Sequence, residues 1–126
     1  MHFKLRIITI KKDNIILEKS FDFALSIIEL YKNMTEQKEY ILSKQILRSG
    51  TSIGANVEEA IAAHSRKDFA AKMIIASKEA RETRYWLRLL QKSQLVKLEF
   101  TIQLNDIETI INIITAIVKT TQSNSK

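Results

Sequence analysis

The sequence predicts an all-α protein, an antiparallel up-down-up-down four-helix bundle, and three observations carry that expectation. The 126 residues contain no proline and two glycines, whereas a sheet sandwich needs turn residues every ~8–12 positions. Apolar residues make up 45% of the chain and recur at helical spacing over four separate segments. Those segments are joined by short connections, which place consecutive helices side by side and antiparallel. A chain of this size holds a single core. The division it suggests is an N-terminal extension at 1–13, a bundle at 14–121 and a frayed tail at 122–126.

The first helix is expected from Phe21 to about Met34, with Ser20 as its cap. Phe23, Ile27, Leu30 and Met34 share one face, and Phe21, Ala24, Ile28 and Tyr31 share another, so this helix is apolar on two sides. Ahead of it, Phe3, Leu5 and Ile7 alternate with Lys4 and Arg6, which reads as a short strand or extended arm.

The second helix is expected from Glu36 or Gln37 to Ala63. Ser43, Leu47, Gly50, Gly54, Val57 and Ile61 follow the spacing of a coiled-coil seam, with Ile46 and Ile53 beside it. The run RSGTSIGANVEEA at 48–60 thus keeps helical register through both glycines. A phosphate loop is the competing reading, but it needs Lys and Ser/Thr after the last glycine, and here Ala55 and Asn56 follow Gly54. Two missing Cβ atoms on an apolar face instead suit close helix packing at Gly50 and Gly54. As isolated helix, Ser49–Gly54 is about 3 kcal/mol poorer than an alanine run, so tertiary contact must offset that cost. The outward face is read as Ser49, Ser52, Ala55, Asn56 and Ala63, small residues where a solvated face would show Lys and Glu.

Ser65, with Asp68 three residues on, opens the third helix as a capping box. Its seam is Phe69, Met73, Ala76, Ala80, Thr83, Leu87 and Leu90, ending near Lys92. The fourth helix, from about Leu98 to Thr120, repeats the rhythm with Phe100, Leu104, Ile107, Ile111, Ile114 and Val118.

Absent chemistry narrows the function. There is no cysteine, hence neither disulfide framework nor thiolate metal site, and a cytoplasmic location is expected. The longest charge-free apolar run, Thr109–Val118, is about half a membrane span, so no membrane partner is expected. Di-metal bundles need Glu-x-x-His, and neither His2 nor His64 has that spacing; no metal or other cofactor is expected. Glu58, Glu59, Glu79 and Glu82 are better read as ion-pair partners of Arg48, Arg81 and Arg84 than as a catalytic cluster. With no nucleophile–base pair either, no enzyme is expected, a hydrolase built on the glutamates being the weakest alternative.

The positive signal is charge. The net charge is +6, and residues 65–97 hold nine basic and three acidic residues, an excess equal to the whole. Lys78, Arg81, Tyr85, Arg88 and Lys92 fall within about 80° of one another on the third helix, with Arg84 at the edge. Arginine makes bidentate phosphate contacts and tyrosine offers a stacking surface, a combination suited to nucleic acid, RNA or DNA. A second stripe, Ala71, Ile75, Glu82, Trp86 and Leu89, is rotated about 90–150° from the seam. One bundle buries one stripe per helix, so the extra apolar faces point to self-association.

Beyond these patterns, ILEKSFDFALSIIELYK and LSKQILRSGTSIGANVEEAIAAHSRKDFAAKMIIASKEARETRYWLRLL resemble the proteins encoded by intervening sequences in bacterial 23S ribosomal RNA genes, over Asn14 to Thr120. The resemblance implies an up-down bundle assembling into a ring, a homopentamer, without enzymatic activity. The chain is also similar to the accessory proteins of diversity-generating retroelements, basic pentamers that bind nucleic acid and a reverse transcriptase. Two functions follow as expectations: a nucleic-acid-binding oligomer, or a scaffold ring that recruits a protein partner such as a polymerase or reverse transcriptase.

Overall fold

The computed structural model describes residues 3–124, with side chains from Asn14 to Ser123. Four helices account for nearly all of them: α1 (Phe3–Glu36), α2 (Leu42–Ile61), α3 (Arg66–Ser93) and α4 (Thr101–Asn124). Among the described residues there is no strand. Each helix packs on its two neighbours around a square, α1 on α2, α2 on α3, α3 on α4 and α4 back on α1. The pairs Ile27 with Gly50 and Ser20 with Gly54 run antiparallel, as do Arg48 with Glu82 and Glu59 with Lys72.

The core is a single stack of apolar side chains drawn from all four helices, including Phe23, Ile27, Ile53, Met73, Leu87 and Ile114, with Phe100 added from just before α4. On α3 it uses Met73, Ala76, Ala80, Thr83, Leu87 and Leu90, the 4-3 seam of the sequence, with Phe69 packed at its edge. On α2 the buried line is Ser43, Ile46, Ser49, Gly50, Ile53, Val57 and Ala60. That line is rotated about 60° from the one drawn through Leu47, Gly54 and Ile61. Ile61 is exposed as a result, and Ser49, read from sequence as outward, is fully buried.

Helix ends differ from the sequence reading for identifiable reasons. Phe3–Asp13 continue α1 as helix rather than forming a strand or arm. No Gly or Pro lies between Phe3 and Phe21 to break the turn, and alternation over so few residues fits either period. Ser20 is consequently not a cap but a buried mid-helix residue whose hydroxyl donates to the Leu17 carbonyl at 3.3 Å. His2 and residues 125–126 lie outside the described residues.

α2 starts later than expected because Lys38 turns left-handed, at φ 66°. Its neighbour Glu39 then donates its N–H to the Met34 carbonyl at 3.0 Å, a Schellman-type closure. The Glu39 carboxylate accepts from the N–H groups of Ile41, Leu42 and Ser43 at 3.1, 3.1 and 2.7 Å, a charged cap on donors that the helix leaves open. Ser65 caps α3, accepting from the Asp68 N–H at 3.0 Å.

The Gln37 amide ties the two loops at one end of the bundle together, accepting from the Lys97 N–H at 2.7 Å and donating to the Lys97 carbonyl at 3.1 Å. By length and mean hydropathy (1.2 over Thr101–Ser123), α4 could cross a membrane. Its buried stripe of Ile107, Ile110, Ile111, Ile114 and Ile117 is nevertheless part of the bundle core.

Candidate nucleic-acid interface

α3 is the helix on which the candidate side chains gather. Its core seam faces inward, so helical geometry sends positions 78, 81, 85, 88 and 92 to the other side. Lys78, Arg81, Tyr85, Arg88 and Lys92 are all exposed. None of these four cations has a carboxylate within ion-pair distance among the described residues. Tyr85 stacks edge-on against Trp86 with centroids 5.3 Å apart, which steadies its ring while leaving 55% of the residue open to solvent.

Arg84 does not belong with them. It turns toward α4 and pairs with Glu108 at 2.8 Å, so its charge is already matched. Sequence position placed it at the edge of the ribbon, and the neighbouring helix decides the matter.

The second α3 stripe divides. Ala71, Ile75 and Leu89 face solvent. Glu82 and Trp86, by contrast, form a network within the chain. The Trp86 indole N–H donates to Glu82 at 3.0 Å, Arg48 from α2 pairs with the same Glu82 carboxylate, and a second Arg48 nitrogen reaches Glu79 at 3.4 Å. Of the glutamates grouped in the sequence, Glu79 and Glu82 thus serve Arg48, and Glu59 pairs with Lys72 at 2.7 Å. Among the described residues no cluster of His, Asp or Glu could hold a metal ion.

Gly50 and Gly54 lie inside continuous helix on the side turned to α1. A Cβ built on Gly50 would stand 2.9 Å from both Cγ atoms of Ile27, and one on Gly54 would stand 3.4 Å from the Ser20 carbonyl oxygen. The small polar residues around them satisfy themselves locally. Thr51 donates to the Leu47 carbonyl at 2.7 Å, Ser52 to Arg48 at 2.6 Å, and the Asn56 amide to Ser52 at 2.8 Å. On α1, the face bearing Phe21, Leu25 and Ile28 is uncovered within the chain, Phe21 being 64% exposed.

A groove of about 270 Å³ runs between α3 and α4 beside the cationic face. Ile74, Lys78 and Arg81 line it from α3, and Thr115, Val118 and Lys119 from α4. Lys119 lies outside the charge-rich 65–97 segment, and only the packing of α4 on α3 brings it to the site. The periodicity of Thr115 and Val118 with Gln122 was the available signal.

These features define a small four-helix bundle whose third helix carries an exposed cationic face. The chain belongs to the 23S rRNA-intervening sequence protein family, whose model matches residues 12–116. It is similar to a protein of unknown function from the S23 ribosomal protein family of Bacteroides thetaiotaomicron VPI-5482, whose crystal structure superposes with a TM-score of 0.81. The two are 49% identical, over 86% of this chain and 98% of that one. Comparison with curated proteins gives no match.

Proposed function

We propose that this protein is a non-enzymatic, self-associating nucleic-acid-binding protein that contacts phosphates through Lys78, Arg81, Arg88 and Lys92, with Tyr85 as a stacking ring. The observation that carries the reading is the gathering of four exposed cations without carboxylate partners on one face of α3, whereas Lys32, Arg48, Lys72 and Arg84 are paired. Charge left uncompensated on one face attracts a polyanion and makes binding fall with salt. Membership of a family encoded within ribosomal RNA genes makes structured RNA the first nucleic acid to try.

Self-association is supported by the uncovered apolar α1 face, with Ile75 and Leu89 on α3 as a further apolar surface. A pentameric ring is the assembly we propose, and it would repeat the cationic face around its circumference. The same α1 face favours the second reading, a scaffold that recruits a protein partner.

Fluorescence anisotropy with a short RNA hairpin, across a salt series, tests the first reading. The Lys78→Ala/Arg81→Ala/Arg88→Ala variant should bind weakly and lose about 3 units of log–log salt slope if each cation contacts one phosphate. Undiminished affinity in that variant would remove the site. Light scattering of the same samples reads the assembly state, and a partner that survives nuclease treatment in a pull-down would favour the scaffold.

A further inference from the structure

We infer that the α3–α4 groove is a subsite for an unpaired nucleotide, so that the protein prefers single-stranded or looped nucleic acid over duplex. This inference rests on the nucleic-acid reading of α3 and deepens it. Ile74, Lys78 and Arg81 succeed one another at i, i+4 and i+7 on α3, and Thr115, Val118, Lys119 and Gln122 at i, i+3, i+4 and i+7 on α4. Both sets therefore face the seam between the helices. Of the groove's lining, Ile74, Val118 and Ser77 are half-buried and form a mostly apolar floor, while Lys78, Arg81 and Lys119 are exposed and form a rim of three cations. No ion pair within the described residues engages any of the three. The Arg84–Glu108 pair bridges α3 and α4 about one turn further along from Arg81.

A bare phosphate would use the rim and leave the floor wet. A duplex keeps its bases stacked inward and would do the same. An unpaired nucleotide matches both parts: its base covers the apolar floor while the flanking phosphates meet the rim. Tyr85, one helical turn beyond Arg81 and exposed, is placed to stack the adjoining base. Lys119 is the residue that separates this geometry from a flat cationic helix, because it reaches the same phosphates from α4.

The test is anisotropy on the full chain with three fluorescein-labelled 12-nucleotide probes, a single strand, the same strand with two central abasic sites and the blunt duplex, and with a labelled poly-glutamate peptide as an acidic control. The single strand should bind at least about fivefold more tightly than the abasic strand or the duplex. Lys119→Ala, an exposed change far from the core, should weaken the single strand severalfold and lower its salt slope by about one. Equal affinity for the intact and abasic strands, or an unaltered Lys119→Ala, overturns the subsite while leaving the α3 interface standing if the triple α3 variant still fails. No binding of any nucleic-acid probe by the wild type overturns both, as does equal or tighter binding of poly-glutamate.

Discussion

Thr83 on α3 and Ser49 on α2 hold a hydrogen bond of 2.8 Å in the buried part of the α2–α3 interface, both residues fully buried. The Thr83 hydroxyl also lies 2.8 Å from the Glu79 carbonyl. A carbonyl only accepts, so Thr83 gives its single proton there and accepts from Ser49. Thr83→Val then strands a buried Ser49 hydroxyl and should cost about 1–3 kcal/mol, while Ser49→Ala leaves Thr83 its carbonyl partner and should cost about 0.5–1.5 kcal/mol. The double variant, with both groups replaced by apolar ones, should be less destabilised than the sum. Urea unfolding of the four proteins checks this, and strict additivity would dissolve the pair.

The two glycines separate by what a methyl would meet. At Gly50 it lands 2.9 Å from the β-branched, fully buried Ile27, which has nowhere to turn, whereas at Gly54 it makes ordinary contact at 3.4 Å. Alanine gains about 1 kcal/mol of helix propensity at either position. At Gly50 overpacking of about 1–3 kcal/mol outweighs that gain. Gly50→Ala should lower the melting temperature and Gly54→Ala leave it level or raise it. The reverse order would mean that α1 and α2 are not this close at Gly50.

Lys38 and Gln94 sit at φ 66° and 52°, the left-handed turns that end α1 and α3. A Cβ is strained there by about 1–2 kcal/mol, and glycine is free of that strain at some cost in unfolded-chain entropy. Lys38→Gly should therefore stabilise by up to about 1 kcal/mol, and Lys38→Val should destabilise. Thermal melts of the pair decide it.

Those two turns also show where the sequence was silent. The α3 seam from Met73 to Leu90 and the Ser65 cap were legible because strict 4-3 spacing and a Ser-x-x-Asp run have few other meanings. Lys38 carries no such mark, since nothing in its chemistry favours a left-handed turn, so the start of α2 was misplaced. Ser49 misled for another reason: a small hydroxyl is at home on either side of a helix, and only Thr83, 34 residues away, decides for the inside. The cationic face was legible from charge on one helix. The partner that removes Arg84 from it, Glu108, and the lysine that α4 adds, Lys119, depend on how the two helices are set side by side.

Glu99 opens the approach to α4, and hydrogen bonds from the Thr101 hydroxyl at 2.5 Å and the Gln91 amide at 3.0 Å hold its carboxyl below the ordinary value. A depressed folded-state value means the bonds favour folding above the ordinary carboxylate range, and the contribution is lost as pH falls through the folded value. Glu99→Gln should thus flatten the acid limb of the stability curve, lowering stability by a constant amount above the ordinary carboxylate range and leaving it unchanged at the acid end. Carboxyl titration followed by NMR reads the shift directly, and a Glu99 that titrates at its ordinary value removes the effect.

Arg84 and Arg88 sit one turn apart on α3 with opposite prospects. Arg84 is half-buried and paired to Glu108 at 2.8 Å, while Arg88 is exposed without an acidic partner. An arginine already neutralised adds little to the field that a polyanion feels. Arg84→Ala should therefore weaken nucleic-acid binding less than Arg88→Ala does. Glu108→Gln goes the other way: it frees Arg84 and removes a repulsive carboxylate, at a stability cost of about 0–1 kcal/mol for so exposed a pair. Affinity for RNA at low salt should rise severalfold, and the salt slope should steepen by about one. A gain of binding is not the result of damage to the fold, so an unchanged or weaker Glu108→Gln would show that nucleic acid does not pass along this side of α3.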